Sequence, residues 1–407
     1  MRIQRWVRLS WITVFLLAVS QLALAQTSAP QERWIATWGA ALHQPGANAV
    51  TFSDQTLRML TRVSVGGSRI RVQLSNLYGT APVLLGPVHV ALHGQESAIV
   101  AGTDRALLFD GKPTVKVPAG AVMVSDAVDL NVPALGDLAI SVYVPAGNTV
   151  PGPRQNTSLR TNYVAAGDVT GASELTTPTT TPSWIWISGV EVMAPANNGA
   201  VVAFGASSVA GTTSTPNTNR SWPSVLADRL QANAATSHLS VINMGIGGNR
   251  VLGDSATAGL SAMARFDRDV LTVTGVRWLM LFEGTNDVGA LARTPDSMTA
   301  DDLIGAYKQM IERAHARGIK VIGCTLNPFQ GMAYYSEQSE ATRLAVNKWI
   351  LTSGAFDATV DFDAVTRDPA NPKQLNPPFN NGDHLHPNDA GYKAMAEAID
   401  LSFFSKR

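Results

Sequence analysis

Two patterns of apolar and polar residues divide the chain. From about residue 34 to 192 the alternation has a period of two, clearest in Arg69-Ile70-Arg71-Val72-Gln73-Leu74 and in Leu138-Ala139-Ile140-Ser141-Val142-Tyr143-Val144. That period puts apolar side chains on one face of a strand and polar ones on the other. Turn-forming runs such as Gly66-Gly67 and Gly111-Lys112-Pro113 separate these segments, and no amphipathic helix pattern interrupts them. The pattern predicts an antiparallel β-sandwich or jelly roll over 32–195. A Thr/Pro-rich run at 173–183 reads as a surface loop and 184–192 as one more strand, so the domain boundary is expected at 195–199.

Beyond that boundary short apolar runs alternate with helical stripes. Strands are predicted at 201–205, 241–245, 278–283, 319–326 and 359–362, with helices between them. The clearest helix is 301–317. There Leu303, Ile304, Tyr307, Met310, Ile311 and Ala314 form one apolar stripe, Thr299 with Asp302 supplies a capping box, and Gly318 supplies a stop. Five strands with intervening helices predict a three-layer α/β/α domain, its sheet mostly parallel, over 200–407.

The first of those strands, in VVAFGASSVAG, ends at Gly205 and presents Ser207 just past its carboxyl end, where open α/β sheets place their ligands. A serine hydroxyl is a poor nucleophile at neutral pH, so it needs a base, a group to orient that base, and donors for an oxyanion. NNGDHLHPNDAGY offers Asp383 and His386 three residues apart in a turn entering a helical pattern. That spacing lets the carboxylate reach Nδ1 while Nε2 faces outward, and it favours His386 over His384. VINMGIGGNR and WLMLFEGTNDVG are polar, glycine-containing turns that each follow an apolar run. They offer the backbone N–H of Gly248 and the side-chain amide of Asn286 as oxyanion donors. Alone, each of these stretches reads equally as a helix cap or a solvated turn. The triplet Gly253-Asp254-Ser255 follows Leu252 rather than a buried strand, and no chemistry is assigned to it.

In this order the four stretches resemble the SGNH (GDSL-type) hydrolase family, over roughly residues 200–403. The resemblance implies a flavodoxin-like fold and an ester hydrolase. Ser207 would be the nucleophile, His386 and Asp383 the base and its orienter, and Ser207 N–H, Gly248 and Asn286 the oxyanion hole. Gly205 and Ser207 match the family's first block while Ala206 replaces its aspartate, and Pro387 and Asn388 continue its last. The β-rich front half and Trp222-Pro223 look most like the exported arylesterase/acylhydrolase branch linked to xylan-degrading bacteria. That branch implies deacylation of small acyl esters, acetyl groups on plant polysaccharides among them.

Composition adds limits. At 45% hydrophobic and 15% charged residues the chain is an ordinary globular one, and its 31 basic and 31 acidic residues leave no electrostatic footprint for nucleic acid or an anionic membrane. Arg2, Arg5 and Arg8, the apolar stretch 11–19 and the small residues Ala23 and Ala25 form a secretory signal, with cleavage expected after Ala25 and export to a periplasm or the medium. The single cysteine, Cys324, allows no intramolecular disulfide. No metal-ligand motif, Walker loop or strand-borne G-x-G-x-x-G is present, so no cofactor is expected. Two other readings compete: a weakened SGNH-fold protein that binds carbohydrate through Trp34 to Trp38 and Trp184 to Trp186, and a lipid acyl hydrolase.

Overall fold

The computed structural model describes residues 31–46, 49–294 and 297–405. The signal peptide expected at 1–25 lies outside the described residues. Beside two small two-stranded sheets, the first half carries two large antiparallel ones. In one, Glu32–Gly39 pairs with Ile187–Pro195, which pairs with Gly67–Ser75, and the latter also receives Val122–Val124 and Val128–Val132. The other runs Thr179–Thr181, Asn162–Ala166, Gln55–Arg62, Asp137–Val144, Val88–Leu92 and Arg105–Leu107. Their inner faces share one core: Leu57, Met59, Ile140 and Val142 from the second sheet are buried with Ile70, Val72, Val190 and Val192 from the first. The period-two pattern is the cause. Ile70, Val72 and Leu74 point inward while Arg69, Arg71 and Gln73 alternate outward.

The second half is built on five parallel strands in the order Leu239–Gly245, Gly199–Gly205, Val276–Phe282, Lys320–Cys324 and Ala358–Val360. The earliest strand in the chain thus lies inside the sheet, with its successors on opposite sides. That reversal opens a crevice at the strands' carboxyl ends. Helices cover both faces, among them Trp222–Gln231, Ala300–His315, Glu337–Thr352 and Asp389–Glu397. The predicted capping box is present: the Thr299 hydroxyl accepts from Asp302 N, and the Asp302 carboxylate accepts from Thr299 N at 2.7 Å.

Two predicted strands end early for a local reason. The run 319–326 stops at Cys324, and Leu326 N–H is taken by the Asn347 side chain at 2.7 Å rather than by a neighbouring strand. The run 359–362 stops at Val360 because Asp361 turns to cap the helix Phe362–Thr366 through Ala364 N.

The strand Leu239–Gly245 lies at the edge of the parallel sheet and faces the sandwich. Ser240 Oγ donates to Ala36 O at 2.6 Å, Ser64 Oγ donates to Val241 O at 3.1 Å, and Gln155 Nε2 donates to Gly245 O at 2.6 Å. A polar edge that would otherwise remain open is closed by the sandwich.

Candidate active site

Ser207 begins a one-turn helix, Ser207–Ala210, directly after the strand Gly199–Gly205. The turn is tight because Gly211 closes it in the left-handed region at φ 91°, where a Cβ would meet that of Ser221 at 2.4 Å. Past it the chain is tied to the last helix: Tyr392 Oη donates to Thr212 O at 2.7 Å, and Thr213 Oγ1 donates to Pro387 O at 2.8 Å. Asn388 caps that helix by accepting from Ala390 N and Gly391 N. These ties hold the turn 383–387 against the helix Ser207–Ala210 although 173 or more residues separate them in sequence.

Asp383, His386 and Ser207 form a continuous line. His386 Nε2 lies 2.7 Å from Ser207 Oγ, and His386 Nδ1 lies 2.6 Å from Asp383 Oδ2. The other carboxylate oxygen, Oδ1, accepts from the backbone N–H groups of Leu385 and His386, each at 2.8 Å. Partial burial would raise the Asp383 carboxyl, but those N–H groups and the imidazole outweigh it and hold the group below its ordinary range. His384 sits apart. Its backbone is left-handed at φ 62°, and its Nδ1 lies 3.1 Å from Asn380 Nδ2.

Asn286 opens the helix Thr285–Ala290 just past the third strand, and lines a pocket with Ser207, Phe282, Asn327 and Leu385. The pocket is small, with about 20 Å³ open to water. One amide hydrogen of Asn286 is spent on Asn249 O at 2.9 Å, which fixes the plane of the amide and leaves a second donor. Gly248 precedes Asn249, is exposed, and has φ +75°, a conformation an L side chain would strain. Asn249 thus connects two of the predicted oxyanion donors. The Gly253-Asp254-Ser255 triplet lies in the loop beyond, where Asp254 Oδ1 accepts from Ser261 N.

Beneath these loops is a buried polar layer that the sequence patterns did not single out. Arg265, with no exposed side-chain surface, donates to Gly205 O, Met244 O and Asn249 Oδ1 and pairs with Asp269 at 3.0 Å. Asp287 is buried and accepts from Val251 N at 2.8 Å and Leu252 N at 3.0 Å. Burial pushes its carboxyl upward against the pull of those bonds. Glu283 is wholly enclosed, and its oxygens find no side-chain hydrogen-bond partner among the described residues, with only the Gly284 N–H drawing on them from the backbone. Arg265 Nη2 stands 4.0 Å from Glu283 Oε2, beyond hydrogen-bond reach. Burial therefore prevails over that cation and lifts the Glu283 carboxyl well above its ordinary range. Arg265 lies in SAMARF, a helix start with no motif to mark it; Asn249 and Asp287 sit inside quoted stretches but read there as turn residues.

Residues 203–394 match the model of the GDSL-like Lipase/Acylhydrolase family. This stretch of the chain is similar to that family. A GDSL-like lipase from Bacteroides thetaiotaomicron shares 21% identity and a TM-score of 0.36, covering 50% of this chain and 87% of its own. An acetyl xylan esterase shares 22% identity with a TM-score of 0.38, over 49% of this chain and 96% of its own. A catalytic mutant of an acetylxylan esterase from Geobacillus stearothermophilus shares 19% with a TM-score of 0.40, over 52% and 96%. No curated protein matches the chain. The block from which the GDSL-like family takes its name reads Gly205-Ala206-Ser207 here, and the Ala206 methyl lines the same pocket as Ser207.

Among the described residues no three His, Cys, Asp or Glu side chains converge as a metal site, and no helix is long and apolar enough to cross a membrane. Of the tryptophans considered for sugar stacking, Trp38 and Trp186 are buried in the sandwich core, and Trp38 meets Trp184 edge to face with ring centres 4.9 Å apart.

Proposed function

We propose that the protein is an exported serine esterase that hydrolyses short acyl esters, acetyl esters of carbohydrates among them, through an acyl-enzyme on Ser207. The observation that carries the reading is the unbroken line from Asp383 through His386 to Ser207, at 2.6 and 2.7 Å. With Nδ1–H donating to Asp383, Nε2 is the free acceptor for the Ser207 proton. Ser207 Oγ attacks the ester carbonyl carbon as His386 takes the proton. Negative charge collects on the carbonyl oxygen, facing Ser207 N–H, Gly248 N–H and the free amide hydrogen of Asn286. The C–O bond to the alcohol then breaks, the alcohol leaves with the His386 proton, and water deprotonated by the same imidazole releases the acid. Asp383 stabilises the imidazolium in both steps.

The small pocket at Ser207 supports short acyl chains over long ones. In this reading a sandwich over 32–195 precedes a hydrolase domain over 200–407. Hydrolysis of p-nitrophenyl esters of increasing chain length, by the wild type and Ser207→Ala, tests it. Highest kcat/KM on the shortest esters and a loss of at least about 10³-fold in a folded Ser207→Ala are expected. A variant that keeps most of its turnover would refute the assignment of the nucleophile.

A further inference from the structure

We propose that Arg265 is a positioning residue for the oxyanion hole, acting through Asn249. The inference rests on the serine esterase reading above and goes beyond it to residues that never touch the substrate. One guanidinium ties together two of the chain segments that carry the reacting groups, through three acceptors. Nη2 donates at 2.9 Å to the carbonyl of Gly205, two residues before Ser207, and Nη1 donates at 2.8 Å to the carbonyl of Met244, at the end of the neighbouring strand. Nε donates at 2.8 Å to the Asn249 side-chain oxygen. Only a planar fork of donors can serve three acceptors in fixed directions, and an ammonium cannot reproduce it.

Asn249 is where that fork becomes chemistry. Its side-chain amide donates to Ala258 O at 2.7 Å and Leu260 O at 2.8 Å, so the whole side chain is held between Arg265 and its own loop. Its backbone does two things at once. The peptide bond joins it to Gly248, whose N–H is one oxyanion donor, and its carbonyl accepts the Asn286 amide, whose remaining hydrogen is another. If Asn249 turns, both donors turn with it.

The arrangement is costly to build, which argues that it does more than fill space. Arg265 has no exposed side-chain surface, and a fully buried cation carries a large desolvation penalty. Its charge is met by Asp269 and by the face of Phe204, whose ring centre lies 4.1 Å from the guanidinium carbon. An apolar side chain of similar volume would fill the same space without that penalty, and would leave Gly205, Met244 and Asn249 unanchored.

The test is a double-mutant cycle on p-nitrophenyl acetate with Asn249→Ala, Asn286→Ala and the pair, kcat and KM measured separately. Asn286→Ala alone should cost about 10² to 10³ in kcat. Asn249→Ala should lower kcat by about 10- to 100-fold, as losses of supporting hydrogen bonds around reacting groups do, with KM within about threefold. In the Asn286→Ala background the same change should cost markedly less, because part of what it positions has already gone. Full additivity, or a rise in KM at unchanged kcat, would overturn the proposal. Melting temperature and near-ultraviolet circular dichroism establish that each variant is folded. Arg265→Lys is measured alongside, and carries the test alone should Asn249→Ala fail to fold: it keeps the charge for Asp269, loses the fork, and should show the same loss in kcat at little-changed KM, whereas a wild-type kcat in folded Arg265→Lys would overturn the proposal. A wild type without turnover would strike the esterase reading itself, whereas an active wild type with additive variants would strike only this inference.

Discussion

Replacing Asp383 by asparagine should be more damaging than its small change in shape suggests. In the wild type Oδ1 accepts from two backbone N–H groups and Oδ2 faces His386 Nδ1. An asparagine keeps only one oxygen, and the two backbone donors claim it, which leaves the NH₂ group pointing at Nδ1. Nδ1 must then accept, so the ring proton moves to Nε2, the atom that lies 2.7 Å from Ser207 Oγ. A protonated Nε2 cannot act as base. Loss of the correct tautomer in a serine triad costs about 10³ to 10⁴ in rate, or about 4 to 5.5 kcal/mol at the transition state. Asp383→Ala, which removes the clash of donors and lets the ring sample both tautomers, should lose less. The assay is kcat/KM on p-nitrophenyl acetate near pH 7.5, with nitrogen-15 chemical shifts of His386 reporting the tautomer. Asp383→Asn within about tenfold of the wild type, or an Nδ1–H tautomer in that variant, would refute the argument.

Glu283→Gln should change how stability depends on pH. The folded carboxyl lies well above its ordinary range because burial disfavours the anion. Its contribution is therefore complete below the ordinary carboxyl range and is lost as pH rises toward the folded value, at up to about 1.4 kcal/mol per pH unit. Glutamine has no proton to lose, so the variant should match the wild type at pH values below the ordinary carboxyl range and melt progressively higher than it as pH rises above that range; melting curves that stay parallel from there up to about pH 9 would show that burial does not raise the Glu283 carboxyl. Thr299→Ala removes half of the capping box on Ala300–His315 and should cost about 1 kcal/mol, about 2 to 4 °C in melting temperature, with kcat unchanged.

The strand and helix grammar was legible because each period matched a surface that had to be buried. Ile70, Val72 and Leu74 alternate into the sandwich core, and Leu303, Tyr307 and Met310 line one stripe against the parallel sheet. The contact between Ser207, His386 and Asp383 was anticipated from a strand end and a three-residue spacing, both of which are local. What escaped was non-local. Arg265 is an unremarked basic residue in a short helix, and its importance comes from three carbonyl and amide oxygens supplied by segments up to 60 residues away. Glu283 reads as the polar end of a strand, and only the burial around it lifts its carboxyl above the ordinary range. Leu326 and Asp361 continue an apolar run in sequence, yet Asn347 and the need to cap the next helix take them out of the sheet.

Glu32 faces Pro195 across the pairing of the sandwich's first and last strands. During synthesis Glu32–Gly39 leaves the ribosome long before Ile187–Pro195 exists, and it carries Ile35, Ala36 and Trp38 with it, all buried in the finished protein. Until the last strand arrives, an apolar strand has an open ladder on one side and no second half to lie against, since Ser240 and Thr274 are made later still. Pairing over such a separation is slow, and an unpaired edge of this kind invites another chain. A nascent chain cut short before Pro195 is therefore expected to be a sticky fragment rather than a small stable sandwich, and the parallel sheet has a platform that is completed only as its own first strand begins.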